Sequence, residues 1–262
     1  MFVILLRFLK NSLFSISLPV QGYLRGWPVV FAYPTLKGWR MIMNGKSLPI
    51  NTTNISSLEY YRYYSPKEGD VVYDVGGELG METSQFSILV GDSGHVITFE
   101  CLPSHVQNLL KISKTKQNIK IVDAACWNKR QKLTFYIGAT QGSSTAVADV
   151  RGQVQQKLIN EDLMPIEVEA DTLDSLYSQN TPGLTINYLK MDIEGAEIEA
   201  LDGAVDMLKN VNYITVAAYH IRDGTPTAEA VLKKLRECNF DCFIDDNLHV
   251  YGKRKNQLIA SV

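Results

Sequence analysis

The stretch that decides the fold is VVYDVGGELG, Val71 to Gly80. It reads as a buried strand ending in an acid, followed by a glycine turn that opens into a helix. Val71, Val72 and Val75 are β-branched strand formers, Gly76 and Gly77 permit backbone angles closed to residues with a Cβ, and Gly80 lets a helix begin close to the sheet. Such a turn is also an ordinary strand-to-helix connection, but with Asp74 placed to meet a cationic or hydroxylated ligand it is the build of a nucleotide-cofactor site. The glycine spacing narrows the cofactor. Dinucleotide folds use G-x-G-x-x-G, whose second glycine lets a pyrophosphate approach the backbone at a helix N-terminus. Here Glu78 occupies the turn and would repel pyrophosphate, whereas S-adenosylmethionine has no phosphate and carries an ammonium and a sulfonium. The methyl donor is therefore expected over NAD.

The neighbouring segments extend this pattern. A helix is expected over Met81 to Val90 and a turn over Gly91 to Gly94, after which HVITFE forms a second strand ending in Glu100, placed to accept both ribose hydroxyls. The separation from Asp74 is one strand-helix-strand unit, close to the ~20-residue interval that places a ribose acid in doubly wound folds. A third strand, IKIVDAA, ends at Asp123, whose carboxylate can accept from an adenine amino group, with Ala124 and Cys126 as small apolar surface. Ligands of open sheets bind at the carboxyl edge, so three acid-tipped strands in succession point to a ligand there. Further along, LTINYLKMD reads as a strand leading into a helix from about Glu194 to Leu208. YITVAAYH follows as a strand, TAEAVLKKLRECN as a helix and FDCFIDDNLHVYGK as a hairpin around Asp245 to Asn247. KLTFYI and IEVEA are strand candidates, and Gln141 to Thr145 reads as a loop close to the site.

On these residues the chain resembles the FkbM-type S-adenosylmethionine-dependent methyltransferases. The resemblance rests on GDVVYDVGGELG, on VITFECLPSHVQNL at Val96 to Leu110, on DTLDSL at Asp171 to Leu176, and above all on LKMDIEGAEIEALDGA at Leu189 to Ala204. The run Lys190, Asp192, Glu194, Gly195, Glu197 is its hallmark, and the likeness spans roughly Tyr60 to Lys253. Gly77 and Glu78 stand where the family more often has alanine and asparagine, and Cys101 where proline is commoner. The alternation of elements and the resemblance together imply an α/β, Rossmann-like class I methyltransferase three-layer sandwich. Its mostly parallel seven-stranded sheet would end in the C-terminal antiparallel hairpin. The resemblance implies a hydroxyl acceptor on a glycan, lipid-linked sugar or secondary metabolite.

Composition agrees with a compact enzyme. With 262 residues, 45% of them apolar and 21% charged, the chain can bury one sizeable core plus an appendage. A net charge of −2 and the lack of basic clusters interleaved with aromatics in the body of the chain argue against nucleic acid as a partner. Cys101, Cys126, Cys238 and Cys242 have no paired C-x-x-C spacing, so reduced thiols are expected and a zinc site is not. Charge is unevenly distributed: residues 1–58 contain no acid and six basic residues, Arg7, Lys10, Arg25, Lys37, Arg40 and Lys46. This sets 1–58 apart as a basic, apolar N-terminal segment from a methyltransferase domain over 59–262. In the opening run, Arg7 and Lys10 interrupt the apolar residues and Pro19 closes them before a span of ~20, so a transmembrane helix is not expected. A signal peptide is not expected either. Peripheral contact with anionic lipid through residues 1–43 and packing of a terminal helix on the domain or on a partner subunit, as in a homo-oligomer, both stay open. The expected location is cytoplasmic, with or without membrane association.

Chemistry should concentrate at Asp192, Glu194 and His220. Methyl transfer is an in-line displacement at the sulfonium carbon, so the protein aligns the acceptor and takes its proton. Asp192 ends the fourth parallel strand at the ligand edge, and Glu194 and Glu197 are expected on one helix face at i and i+3, where acids also offset the helix dipole. His220 ends the next strand, and an imidazole suits proton transfer near neutral pH. Lys190 is read first as half of a structural ion pair, with Glu197 at the substrate or behind the reacting groups. Asp192, Glu194 and His220 are chemically able to hold Mn²⁺ or Mg²⁺, though no metal is expected. The donor site is expected to comprise Asp74, Gly76, Gly77, Gly80, Glu100, Asp123 and Ala124. An NAD-dependent oxidoreductase on the same sheet edge and a non-catalytic membrane-associated binding module are the alternatives.

Overall fold

The structure, a computed structural model, describes residues 2–52, 55–137, 146–147 and 164–255. The loop expected at Gln141 to Thr145 lies outside the described residues. The N-terminal part comprises α1 (Phe2–Arg25) and an antiparallel sheet of β1 (Val29–Thr35), β2 (Gly38–Met43) and β3 (Lys46–Ile50), followed by a 3₁₀ turn at Ser56–Tyr61. Next come β4 (Val71–Val75), α2 (Met81–Val90), β5 (His95–Glu100), α3 (Pro103–Ser113) and β6 (Ile119–Asp123). A side sheet joins β7 (Ala125–Trp127), β8 (Gln131–Ile137), β9 (Ala146–Val147) and β10 (Met164–Thr172) in the order β7-β10-β8-β9. The chain then returns through α4 (Leu173–Asn180), β11 (Ile186–Met191), α5 (Glu197–Asp202) and β12 (Val211–Ala217). It passes a small ribbon of β13 (Ile221–Arg222) and β14 (Thr225–Pro226), then α6 (Ala228–Glu237), and ends in β15 (Phe240–Ile244) and β16 (His249–Arg254).

The central sheet has seven strands in the order β15-β16-β12-β11-β4-β5-β6. Strands β12, β11, β4, β5 and β6 are parallel, and β16 runs antiparallel to both β12 and β15, so the C-terminal hairpin closes the edge as expected. Alternation along the strands divides the core. Tyr73, Val75, Ile97, Phe99, Leu189, Met191, Ile214 and Val216 face α4, α5 and α6 through Leu176, Leu201, Val231 and Leu235. Val72, Val96 and Tyr188 face the other way, onto Phe86 and Leu89 of α2.

The N-terminal segment packs on that second face. Leu18, Trp27, Met41, Met43, Leu48 and Ile50 share one apolar core with Phe86, Val96 and Tyr188, and a fully buried side chain of this kind contributes about 1.5–3 kcal/mol. Gln85 Nε2 of α2 adds a hydrogen bond to the Pro49 carbonyl at 2.7 Å. Helix α1 does not close at Pro19 but continues to Arg25. The proline removes one backbone hydrogen bond, and burial of Leu18 beside the close approach of Gly22 to Val29 holds the second half in place. Among the described residues no helix is long and apolar enough to cross a membrane.

Strand order reverses at β4. The chain steps outward through β5 and β6 and comes back on the other side at β11, which makes the β4/β11 boundary the switch point where open α/β sheets bind ligands. The loops leaving these two strands press together there. Gly76 has φ +86°, and a Cβ on it would lie 1.9 Å from the Asp192 carbonyl oxygen. Gly76→Ala is expected to lower stability by about 1–3 kcal/mol, seen as a lower denaturant midpoint at unchanged slope. A wild-type midpoint would show that the loops do not approach this closely.

Candidate functional site

The glycine loop is fixed from below by the sheet. Gly76 and Gly77 N–H both donate to the Phe99 carbonyl at 2.9 and 3.1 Å, and Gly80 N–H closes a turn onto the Gly77 carbonyl at 2.8 Å. Gly80, at φ +84°, faces Ile112 and Leu109 of α3 so closely that a Cβ would collide with both. Glu78 between them takes a left-handed conformation at φ +45°.

Asp74 is fully buried beneath this loop, not open at its rim. Its Oδ2 accepts from Thr83 Oγ1 at 2.6 Å, and its Oδ1 lies 3.2 Å from Lys190 Nζ on β11. The cation that Asp74 meets is the protein's own. Lys190 also donates to the Gly76 carbonyl. Burial alone would discharge Lys190, but Asp74, Asp192 and Glu82 hold it above the ordinary lysine range. Glu82, in the first turn of α2, joins this group without having been singled out from the sequence. Burial pushes its carboxyl up, opposed by Lys190 and reinforced by Asp74.

Glu100 and Asp123 lie side by side at the ends of β5 and β6. Glu100 Oε1 accepts from the Cys101 and Leu102 amides at 2.8 and 2.9 Å, and Oε2 from the Glu78 amide at 2.8 Å. A carboxylate offers about four acceptor positions, so the three amides fix Glu100 and leave little of it unused. Burial would raise its carboxyl, but His105 at 3.8 Å and the three amides bring it below the usual range. Asp123 is exposed, and its carboxyl is pushed up by partial burial and by the Glu100 charge. Ala124 is buried beside it, its amide donating to the Glu100 carbonyl at 3.1 Å.

On the other side of the switch point stand Asp192, Glu194, Glu197 and His220. The helix expected from Glu194 begins only at Glu197 and stops at Asp202, with a separate 3₁₀ turn at Met207–Asn210. Glu194 and Gly195 form a left-handed turn at φ +56° and +100°, so Glu194 and Glu197 do not share a helix face. The turn has a different result: it brings both acids round His220. His220 itself lies past the end of β12, which stops at Ala217. Its Nδ1 lies 2.9 Å from Glu197 Oε1, and its Nε2 lies 3.6 Å from both Asp192 Oδ1 and Glu194 Oε2. Burial opposes the charged imidazole, yet Glu197, Asp192 and Glu194 raise His220 to about 9. Burial pushes the Glu194 carboxyl up, with Asp192 and Glu197 adding to it and His220 opposing. Glu197 is fully buried and accepts from the Gly195 amide at 3.0 Å. Asp192, Glu197 and His220 offer ligand atoms all within 4.8 Å of one another.

Two tyrosines complete the group, and neither was singled out from the sequence as a site residue. Tyr60 OH donates to Asp192 Oδ2 at 2.6 Å and Tyr219 OH to the same oxygen at 3.3 Å. Burial and the Asp192 charge keep both hydroxyls protonated. Tyr60 arrives from the N-terminal part, held by its neighbour Glu59, which takes Arg25 at 2.9 Å and Asn247 Nδ2 at 2.9 Å. His249 stands edge-on to the rings of Tyr60 and Tyr219, each at 5.6 Å. No spacing rule links residue 60 to residue 192. Tyr219 had a signal, its place next to His220.

The lowered Glu100 carboxyl has a stability consequence with a definite sign. A depressed folded-state value means stabilisation that is fully present above the unfolded value of about 4.3 and lost as pH falls through the folded one. Glu100→Gln, which turns an amide NH₂ toward backbone N–H groups, is expected to cost about 1–3 kcal/mol at pH 7. The gap from wild type should close on acidification below pH 4, as followed by denaturation midpoints, and a pH-independent gap would contradict the charge-based account.

A model of the methyltransferase FkbM domain matches residues 74–242. No curated protein matches the chain. Among solved structures, fibrillarin from Aeropyrum pernix with natively bound S-adenosyl-L-methionine is 13% identical over 86% of this chain and 94% of that one, with a TM-score of 0.51. The fibrillarin pre-rRNA processing protein of Methanococcus jannaschii is 13% identical over 83% of each chain, with a TM-score of 0.50. Methyltransferase FkbM from Methylobacillus flagellatus KT is 14% identical over 74% of this chain at a TM-score of 0.49, and this chain spans 46% of that longer one. Likeness at these identities concerns the fold alone, that of class I methyltransferases. The matched residues run from Asp74 through the Lys190 to Glu197 motif, and the chain belongs to the FkbM methyltransferase domain family.

Proposed function

We propose that the chain moves the methyl group of S-adenosylmethionine onto a hydroxyl oxygen. The observation that carries this reading is the convergence of two acid-lined loops on one switch point. The glycine loop with Glu100 and Asp123 lies on one side, and Asp192 with His220 on the other. The nucleoside would lie against the β5 and β6 tips, with the sulfonium directed at the Asp192 side. The acceptor oxygen attacks the methyl carbon, the carbon–sulfur bond breaks, and its electron pair stays on sulfur to give S-adenosylhomocysteine. The acceptor proton must leave as the oxygen becomes an ether. Asp192 Oδ1 is buried with no hydrogen-bond partner and stands ready to take it. In the ion-free site His220 carries its own proton at neutral pH, so the first acceptor is the carboxylate, with the imidazolium beside it offsetting charge.

For an acceptor of glycan or lipid-linked sugar type, the exposed ring of Tyr219 beside Asp192 offers a face to cover the apolar side of a sugar, with Tyr60 and His249 buried behind it. The N-terminal part supports a lipid-surface location. Ile16, Val20, Tyr23 and Leu24 are exposed at i, i+4, i+7 and i+8 of α1, opposite the buried Leu18, and Val30, Phe31 and Leu36 are exposed nearby. With no acid before Glu59, this face suits anionic lipid.

Asp192→Asn is expected to lower turnover by about 10²–10⁴-fold while donor affinity by calorimetry stays within about twofold of wild type. Unchanged turnover would remove Asp192 from the proton path. Incubation with labelled donor and fractionated extract should place label in an O-methyl ether, and label on nitrogen or carbon would overturn the hydroxyl assignment. Co-sedimentation with phosphatidylserine vesicles should fall as salt rises and be lost in Leu24→Asp. Equal binding to neutral vesicles, or none, would contradict the lipid contact.

A further inference from the structure

We propose that a divalent cation, Mg²⁺ or Mn²⁺, binds between Asp192, Glu194 and His220, with Glu197 holding the imidazole in register. Three observations carry this. First, polar atoms that ought to have partners have none: His220 is 7% exposed, and its Nε2 and Asp192 Oδ1 are both buried without a hydrogen bond. Nε2 lies 3.6 Å from Asp192 Oδ1 and 3.6 Å from Glu194 Oε2, beyond hydrogen-bond reach. Adjacent ligands on an octahedral ion with bonds of about 2.1 Å stand about 3 Å apart, so both His220 gaps would have to close by roughly 0.6 Å, and Glu194, which lies outside the close grouping of Asp192, Glu197 and His220, would have to swing in from its half-exposed turn.

Second, a carboxylate stands beside the other ring nitrogen, at ion-pair distance though not aligned as a hydrogen bond. Glu197 Oε1 lies 2.9 Å from Nδ1 and is itself fixed by the Gly195 amide. A carboxylate on the far nitrogen is the usual orienting partner of a metal-bound histidine, fixing which nitrogen faces the ion. Third, the charges do not balance. Three carboxylates converge on one imidazole, whose single positive charge offsets only one of them, while Lys190 is engaged by Asp74 and Arg222 by Glu199 at 2.6 Å. Two oxygen ligands and one imidazole with open positions suit Mg²⁺ or Mn²⁺ better than a soft metal. The left-handed turn at Glu194 and Gly195 is what brings the second oxygen ligand to the imidazole.

With an ion bound, Asp192 Oδ1 would serve as its ligand in place of the proton-accepting role it has without one, and the ion would lower the acceptor hydroxyl's affinity for its proton. This role rests on the function proposed above, whereas binding of the ion does not.

The test is a titration of the full chain, without donor, with MnCl₂, following free Mn²⁺ by electron paramagnetic resonance. One Mn²⁺ per chain is expected. Glu194→Gln, a half-exposed turn residue whose change leaves the core untouched, should weaken binding at least tenfold, and Glu197→Gln by about 10–100-fold. Glu199→Gln, which faces Arg222, should bind as wild type does. No binding by the wild type, or unaltered binding in both Glu194→Gln and Asp192→Asn, overturns the site. A donor titration beside it separates the two ideas. Donor binding without Mn²⁺ binding overturns the ion alone, and Mn²⁺ binding without donor binding overturns the proposed function while supporting the ion.

Discussion

The architecture depends on the buried pair of Asp74 and Lys190 at the switch point. They occupy paired positions on β4 and β11, and the lysine also reaches up to the Gly76 carbonyl. A charge this deeply buried is tolerable only with its partner, and loss of one member of such a pair costs about 3–5 kcal/mol. The pair therefore fastens together the two strands at which the sheet order reverses, and it fastens the glycine loop to both. Close approach of Gly76 to the Asp192 carbonyl follows from the same clamp. The glycine loop and the Asp192 loop are thus held at a fixed separation.

A second constraint comes from outside the sheet. Glu59 collects Arg25 from the end of α1 and Asn247 from the hairpin, and the Glu59 carbonyl accepts from Tyr251 OH at 3.1 Å. Tyr60, one residue on, is thereby delivered to Asp192. The N-terminal part bears on the candidate site by holding Glu59, the neighbour of this tyrosine, through Arg25, as well as burying the second face of the sheet. Where that part sits should accordingly bear on the set of Asp192, and a surface that held α1 would lie one short network away from the reacting groups.

Elements with a strong local pattern were readable from the chain. The β-branched residues of VVYDVGG and the apolar runs of HVITFE and LTINYLKMD gave the parallel strands, and the helical pattern of TAEAVLKKLRECN gave α6. Glu100 and Asp123 end β5 and β6 as read, because a strand's end is a local property, whereas Asp74 is buried beneath the glycine loop and not open at the rim. Their partners were not readable. Asp74 faces Lys190 from 116 positions along the chain only because β11 returns beside β4, and Tyr60 reaches Asp192 across 132 positions. The helix expected at Glu194 begins only at Glu197 because Glu194 and Gly195 take left-handed angles, which a right-handed helix does not contain.

The central claim is that a sulfonium nucleoside lies across the β4, β5 and β6 tips with its reactive end toward Asp192. A crystal structure of the chain with S-adenosylhomocysteine tests this most directly. The account predicts ribose density beside Glu100, adenine beside Asp123 and Ala124, and sulfur turned toward the Asp192 and His220 side of the Gly76 loop. Nucleoside density elsewhere on the molecule, or none at saturating ligand, would contradict it.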